Sequence, residues 1–286
     1  MSKNVMTLSW CDIEALDKDK TVLYFGIAPI EQHGKHLPIG VDVYETEFWI
    51  HKSIELLEAE MEEYTFLTMP IVPYGYAQMD GFIGNLHLGQ EQLYHLVLKS
   101  ISAIAAWGIK HIVIISGHAD PKHLIAIEQA CDLVNQKYDE VAFSPMGAIF
   151  SGKVSKKAMD NHPNLSDKLS QFHNDFHAGW IETSCMLAIM PEVVKPNYKD
   201  QPNIEITDKE MILPEIVMAK TKNYGHLGFP KEATAELGIA LNHDGVERIN
   251  KCVSAFIKRT DYKQYEHHKL FELPFMKVKN GGIRNV

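Results

Sequence analysis

The sequence predicts an α/β fold of three layers, in which helices cover both faces of a mostly parallel central sheet. Short apolar runs alternate with longer segments of helical periodicity along the 286 residues, a pattern typical of parallel strands joined by helical crossovers. The composition is 45% hydrophobic, which suffices to bury a substantial core. The sequence contains no internal repeat and no low-complexity linker. We therefore expect one domain over residues 1–260 and an extension of unassigned role over residues 261–286.

Four short apolar runs are predicted to form the sheet, and they lie at 21–27, 66–72, 111–115 and 140–144. Each has the length and composition of a buried strand. Pro73 ends the second run, and Gly108 separates the third from the helix before it. The third run, His-Ile-Val-Ile-Ile, is the strongest candidate for a central strand because it is apolar almost throughout.

Helical spacing of apolar residues predicts helices at 43–62, 90–107, 121–137, 167–176, 183–190 and 233–259. Pro121 suits the first turn of the third of these helices, and Pro191 stops the fifth. Gly245 marks a potential interruption of the last one. The stretch 196–230 is rich in Asn, Pro, Gly and Lys and is predicted to be an irregular loop with a functional or subunit-contact role.

Charge and composition exclude several classes of function. The formal net charge is -9 and no long Lys/Arg cluster occurs, so neither nucleic acid nor an anionic membrane is expected as a main partner. No apolar run reaches the ~18 residues of a membrane span, and no signal peptide is recognisable. The four cysteines are scattered singly at Cys11, Cys131, Cys185 and Cys252, which favours reduced thiols. We therefore expect a cytoplasmic protein that acts on a small molecule.

Two carboxylates and two imidazoles lie in the loop that follows the first predicted strand. The sequence at 31–42 is E-Q-H-G-K-H-L-P-I-G-V-D, which contributes Glu31, His33, His36 and Asp42. Carboxylate oxygen combined with neutral imidazole nitrogen binds zinc and similar divalent metals. The junction of a strand and a loop is also where α/β sheets bind their ligands. We interpret this loop as part of the metal centre of a hydrolase.

A second polar cluster, S-G-H-A-D at 116–120, directly follows the strongest predicted strand. His118 and Asp120 are two residues apart, so in extended backbone both point to the same side. Loops after parallel strands emerge at the same edge of a sheet, where this loop and the first one would supply five or six ligands to two metals. A lone histidine after a core strand is more often a structural residue. The combination with Glu31 and Asp42 favours a metal site.

The third cluster is D-F-H-A-G-W-I-E-T-S at 175–184, and the residue types leave two interpretations open. As structure, it is a helix start with acidic residues in the first turn, which suits the helix dipole. As chemistry, His177 is a candidate acid or base near neutral pH. Glu182 is then a candidate for orienting a metal-bound histidine or water. Cys185 has no assigned chemical role.

Together these clusters resemble the creatininase (creatinine amidohydrolase) family. The resemblance rests on E-Q-H-G-x-H-L-P at 31–38 ending in Asp42, on S-G-H at 116–118, and on H-A-G-x-x-E-T-S at 177–184. G-F-P at 228–230, followed by A-T-A-E-L-G at 233–238, is similar to a late segment of the family. The motifs occur in the family's order over roughly residues 8–259. The resemblance implies a single α/β/α domain and assembly into a homo-oligomer, such as a hexamer.

The resemblance also implies hydrolysis with two divalent metal ions per subunit, which are zinc, manganese or iron. Glu31, Asp42 and His118 would hold one ion. His33, Asp42 and Asp120 would hold the other, with Asp42 bridging. Creatininase itself has a glutamate at the position of Asp120, and many relatives have a glycine there.

The departures from the family pattern make creatinine a poor expectation for the substrate. Ala119 stands where creatininase has an aromatic residue, and the tryptophan that lines the creatininase pocket has no clear match, although Trp180 is close. The implied reaction is attack of an activated water on a polarised carbonyl, with His177 as proton donor to the leaving atom. We expect a small cyclic amide or a related C–N bond. The alternatives are C–C ring opening of a cyclic diketone such as a keto-inositol, and a non-catalytic metal-binding protein.

Overall fold

The computed structural model describes residues 3–77, 81–154, 163–211 and 213–279. Its centre is a five-stranded sheet in the order β1-β3-β2-β4-β5, and all neighbouring strands are parallel. The strands are β1 Lys3–Asn4, β2 Thr21–Gly26, β3 Thr65–Thr68, β4 His111–Ile115 and β5 Ala142–Phe143. The predicted parallel sheet is therefore confirmed. The sequence gives no sign of β1, because a two-residue strand is too short to show any periodicity.

Ten α-helices occur among the described residues. They are α1 Trp10–Glu14, α2 Val41–Glu60, α3 Gln90–Ala106, α4 Pro121–Tyr138, α5 Met146–Phe150, α6 Pro163–Gln171, α7 Trp180–Ile189, α8 Asp208–Met211, α9 Pro214–Thr221 and α10 Ala235–Ile257. None of these described helices is both long and apolar enough to cross a membrane.

Several element boundaries differ from the prediction, and two of the differences concern the site. α2 begins at Val41, so Asp42 lies in the first helical turn and not at the end of a loop. α7 begins at Trp180, so Glu182 also lies in a first turn. α10 continues through Gly245. Two short helices, α8 and α9, occupy part of the stretch predicted to be irregular.

Each strand sends alternate side chains to opposite faces of the sheet, and both faces are buried. Leu23 and Phe25 of β2 pack with α3 and α4 on one face. Val22 and Tyr24 pack with α2 and α10 on the other face. The molecule is thus a three-layer α/β/α domain, as predicted.

Two features of this architecture determine where the site lies. β2 and β4 are neighbours and end level with each other, since Gly26 pairs with Ile115. The loops that follow them therefore begin side by side at the carboxyl edge of the sheet. The segment after α10 packs elsewhere, with Phe271 and Met276 against Ile125 of α4.

Candidate metal centre

The centre forms where the loop after β2, the first turn of α2 and the loop after β4 meet. Glu31 lies in the loop after β2. Its backbone N–H donates to the carbonyl of Ile39 at 2.9 Å, which closes this loop onto the start of α2. His118 enters from the loop after β4. The predicted convergence of the two loops at one sheet edge is therefore what the structure shows.

Glu31, Asp42 and His118 form the first group of side chains that could hold a metal ion. Their ligand atoms all lie within 4.8 Å of one another, and all three residues are buried. The Nδ1 atom of His118 is 3.1 Å from Oδ2 of Asp42 and 3.4 Å from Oε2 of Glu31. This group contains the same three residues that the sequence predicts for one metal.

His33, His177 and Glu182 form the second group, and their ligand atoms also lie within 4.8 Å of one another. The Nε2 atom of His33 is 3.7 Å from Oε2 of Glu182 and 3.3 Å from Oδ1 of Asp42. Asp42 therefore directs one oxygen toward each group. The sequence predicted this bridging arrangement, but it expected Asp120 where the structure places Glu182.

Hydrogen bonds fix which ring nitrogen of two histidines faces the centre. The Nδ1 atom of His33 lies 2.9 Å from the carbonyl oxygen of Glu31. Because a carbonyl only accepts, Nδ1 carries the hydrogen and Nε2 faces Asp42 and Glu182. The Nε2 atom of His177 likewise donates to the carbonyl of Gln32 at 2.8 Å. A histidine held to a backbone carbonyl in this way is typical of metal sites.

The carboxylates of the centre favour positive charge on the groups beside them. Burial acts to lower the pKa of His33 and of His118, but the neighbouring carboxylates outweigh it and raise both pKa values to about 10. Burial raises the pKa of Glu31 to about 7. Burial acts in the same direction on Asp42, yet the two histidines outweigh it and lower the pKa of that carboxyl. Asp42 is thus ionised more readily than Glu31, the other carboxyl of the first group.

Several polar atoms of the centre are buried without a hydrogen-bond partner among the described residues. They are Oε2 of Glu31, Nε2 of His33 and both carboxylate oxygens of Asp42. Leaving such groups buried and unpaired costs about 1–3 kcal/mol each, and more when they are charged. Since these acceptors converge from two groups, divalent cations are the partners that would satisfy them together. The residues present therefore fit a metal centre.

Thr46 joins α2 to the loop after β4, and it is not among the residues predicted for the site. Its hydroxyl donates to the carbonyl of Asp42 at 2.6 Å and accepts from the N–H of Gly117 at 2.7 Å. A Cβ atom on Gly117 would lie 2.6 Å from the same Asp42 carbonyl, so only glycine permits this approach. The signal in the sequence was the spacing, because a residue four positions after Asp42 lies on the same helix face.

The remaining predicted residues lie at the borders of the centre. Asp120 caps α4, where its Oδ1 accepts from the N–H groups of Lys122 and His123, and it belongs to neither group. His36 turns away from the centre, with its Nε2 atom 2.9 Å from the hydroxyl of Thr183. Cys185 is buried beside Glu45, whose pKa burial raises well above its ordinary value.

This chain is similar to known proteins over most of its length. The model of the creatininase family, described as creatinine amidohydrolase, matches residues 6–253. A mycofactocin precursor peptide peptidase of Mycobacterium ulcerans (strain Agy99) is 25% identical over 80% of this chain and 82% of its own length. A creatinine amidohydrolase of Pseudomonas putida is 26% identical over 83% of this chain and 92% of its own length.

Solved structures show the same fold. A crystal structure of creatininase superposes with a TM-score of 0.65 at 23% identity, over 88% of this chain and 97% of the other. The manganese form of creatininase gives a TM-score of 0.65 at 23% identity, over 91% of this chain and 100% of the other. A creatininase variant of the Zn-Zn type gives 0.66 at 22% identity, over 91% and 99%.

The family match spans most of the sequence, and it includes both loops of the centre and the start of α7. The chain therefore belongs to the creatininase (creatinine amidohydrolase) family, and it is a hydrolase of that family.

Proposed function

We propose that this protein hydrolyses an amide-type C–N bond of a small molecule with the help of two divalent metal ions per subunit. In this proposal Glu31, Asp42 and His118 hold one ion. His33, Asp42 and Glu182 hold the second, so that Glu182 takes the place expected for Asp120. The distances support this exchange, because Oε2 of Glu182 lies 3.7 Å from Nε2 of His33, whereas Asp120 belongs to neither group.

The observation that carries the proposal is the position of Asp42. Its two oxygens are buried and lack hydrogen-bond partners, and each faces a different group at 3.1 Å and 3.3 Å from a histidine nitrogen. One carboxylate shared between two sets of ligands is the arrangement that holds two adjacent metals. No requirement of folding alone explains two unpaired, buried oxygens in this place.

Divalent ions bound here would lower the pKa of a water and polarise the carbonyl of the substrate. The chain's own contribution to proton transfer is His177. Gln32 fixes its Nε2–H, so Nδ1 is the nitrogen that can take a proton. The ring of His177 lies 4.4 Å from that of His33, which supports a role beside the second ion. His177 thus accepts the proton of the attacking water and passes it to the leaving nitrogen.

The choice of a C–N bond is supported by the two curated relatives. One is named a peptidase and the other an amidohydrolase, and both names describe hydrolysis at an amide-type bond. Related creatininase structures are of a manganese form and a Zn-Zn type, and either ion suits this mixture of imidazole and carboxylate. Assembly into a homo-oligomer and a cytoplasmic location stay predictions.

The proposal is tested by loading the metal-free protein with zinc or manganese and screening amides, formamides, cyclic amides and cyclic diketones. We expect hydrolysis of a C–N bond that chelation abolishes and metal return restores. His118→Ala should abolish turnover with little change in circular dichroism. His268→Ala is the matched control, because His268 is equally buried at 8% exposed but lies outside both groups. Cleavage of cyclic diketones alone would contradict the choice of bond, and bound metal without any hydrolysis would contradict catalysis.

A further inference from the structure

The loop that carries His177 into the second group folds around one buried carboxylate, that of Asp175. Its Oδ1 atom accepts from the N–H groups of Trp180 at 3.0 Å and Phe229 at 2.9 Å, and its Oδ2 atom accepts from Ile181 at 2.9 Å. Both oxygens are thus occupied by backbone amides, and Asp175 belongs to neither group of ligand atoms. Asp175 therefore stabilises the backbone around the start of α7 and does not contact a ligand.

Two of these amides are the first two of α7. The residue before the helix is Gly179, which has no side chain to cap it, and the first N–H groups of a helix have no partner inside the helix. Asp175 supplies the missing cap from four residues upstream of Gly179, and its negative charge suits the positive end of the helix dipole. Because Glu182 is the next residue after Ile181, this cap fixes the turn from which Glu182 projects.

The surrounding backbone leaves room for this carboxylate and little else. A Cβ atom on Gly179 would lie 1.9 Å from Oδ1 of Asp175, and one on Gly228 would lie 2.1 Å from the same atom. The segment on the far side is also tied to the loop. The N–H groups of Phe176 and His177 donate to the carbonyl of Leu227, and the N–H of Leu227 donates to the carbonyl of His177.

A strained residue lies between the two ligand candidates of this loop. Ala178 has a φ of 48°, a left-handed conformation that is costly for a residue with a Cβ atom. Such a conformation persists only where its surroundings hold it. Asp175 holds the turn that follows Ala178, and the carboxylate of Glu182 accepts from the Ala178 N–H. Without these bonds the loop would relax, and His177 and Glu182 would separate from His33.

We propose that Asp175 is the positioning residue of the second group, and that it sets the affinity of the metal ion bound by His33 and Glu182. This proposal rests on the proposed function, since it requires that the second group binds a metal. It predicts that a substitution of Asp175 weakens metal binding by the second group. Metal binding by the first group should be spared, because Glu31, Asp42 and His118 all lie outside α7.

The experiment is a titration of metal-free protein with Zn²⁺, followed by calorimetry, for the natural chain and for Asp175→Asn. Asparagine keeps the volume and one acceptor oxygen, but its NH₂ group would face the N–H of Ile181, so that two donors oppose each other. We expect two ions in the natural chain and about 10–100-fold weaker binding of one ion in the variant, which is typical for loss of a residue that orients metal ligands. A purely structural role would lower the thermal midpoint without separating the two affinities.

Two further variants keep the test decisive. Gly179→Ala leaves Asp175 in the chain but forces its carboxylate aside, so it should weaken the same ion even if Asp175→Asn does not fold. Glu128→Gln is the matched control, because Glu128 is also buried and accepts from a backbone N–H, that of His268 at 2.9 Å, outside both groups. A folded Asp175→Asn protein that binds both ions with natural affinity overturns the proposal. A natural chain that binds no Zn²⁺ overturns the proposed function, and this proposal with it.

Discussion

The two groups of the metal centre are built in different ways, although they share Asp42. The first group comes from the loops that follow β2 and β4, two neighbouring parallel strands, and from the first turn of α2, which Thr46 bonds to the loop after β4. The second group depends on His177 and Glu182, which arrive from a loop and a helix far along the chain. One half of the centre is thus built at the edge of the sheet, while the other half depends on contacts between loops.

The largest expected effect comes from the residue that both groups share. Asp42→Ala should remove both metal ions and lower turnover by about 10³-fold or more, because no ligand then joins the groups. Metal content after dialysis and turnover on the substrate found by screening measure the effect. If the variant keeps one ion at natural affinity, Asp42 does not bridge the groups.

Single substitutions of Glu182 and Asp120 distinguish which of the two carboxylates binds the second metal ion. Glu182→Gln should lose one ion and most activity. Asp120→Ala should keep both ions and lose about 1 kcal/mol of stability, because it removes only the cap of α4. Metal titration and urea unfolding of both variants distinguish these outcomes. Loss of an ion from Asp120→Ala would mean that Asp120 is a metal ligand.

A pH-dependent loss of stability is expected at the opposite end of the sheet, independent of both groups. Burial, with a contribution from Arg259, lowers the pKa of His111 to about 4 from an ordinary 6.5. Between these pH values the unfolded chain binds more protons than the folded one, so stability falls as the pH falls through this window. The loss reaches about 3 kcal/mol at its low end.

The matched variant for this effect is His111→Gln, whose amide can also donate to the carbonyl of Asp19, as His111 Nε2 does at 3.1 Å. Urea unfolding of metal-free protein at several pH values should show the natural chain losing stability relative to this variant between pH 6.5 and pH 4. A constant difference across that window would mean that His111 titrates normally.

A local effect on the first group is expected for the bond that joins α2 to the loop after β4. Thr46→Val keeps the shape of the side chain but leaves the buried N–H of Gly117 without its acceptor, at a cost of about 1–3 kcal/mol. Thr221→Val is the control, because Thr221 is also buried and helical but bonds only carbonyls of its own helix. The first variant should weaken metal binding to the first group in a titration, and the second should not.

The fold class, the strands β2 and β4, and the proximity of Glu31, Asp42 and His118 could be predicted from the sequence alone. These follow from local patterns, since apolar runs select strands and parallel strands bring their following loops to one edge. Glu31, Asp42 and His118 therefore lie together wherever this sheet forms. His33 was also correctly placed beside Asp42, because it is two residues from Glu31 in the same loop.

The completion of the second group follows from the tertiary structure. Asp120 and Glu182 are equally suitable by residue type, and each accepts backbone N–H groups, so it is the distance to His33 that separates them. Asp120 is engaged by the amides at the start of α4. Glu182 lies beside His33 because Asp175, Ala178 and the segment around Phe229 fix the start of α7. The bond between Asp175 and Phe229 joins residues 54 positions apart, and no local pattern encodes it, because the geometry of a loop depends on what packs against it.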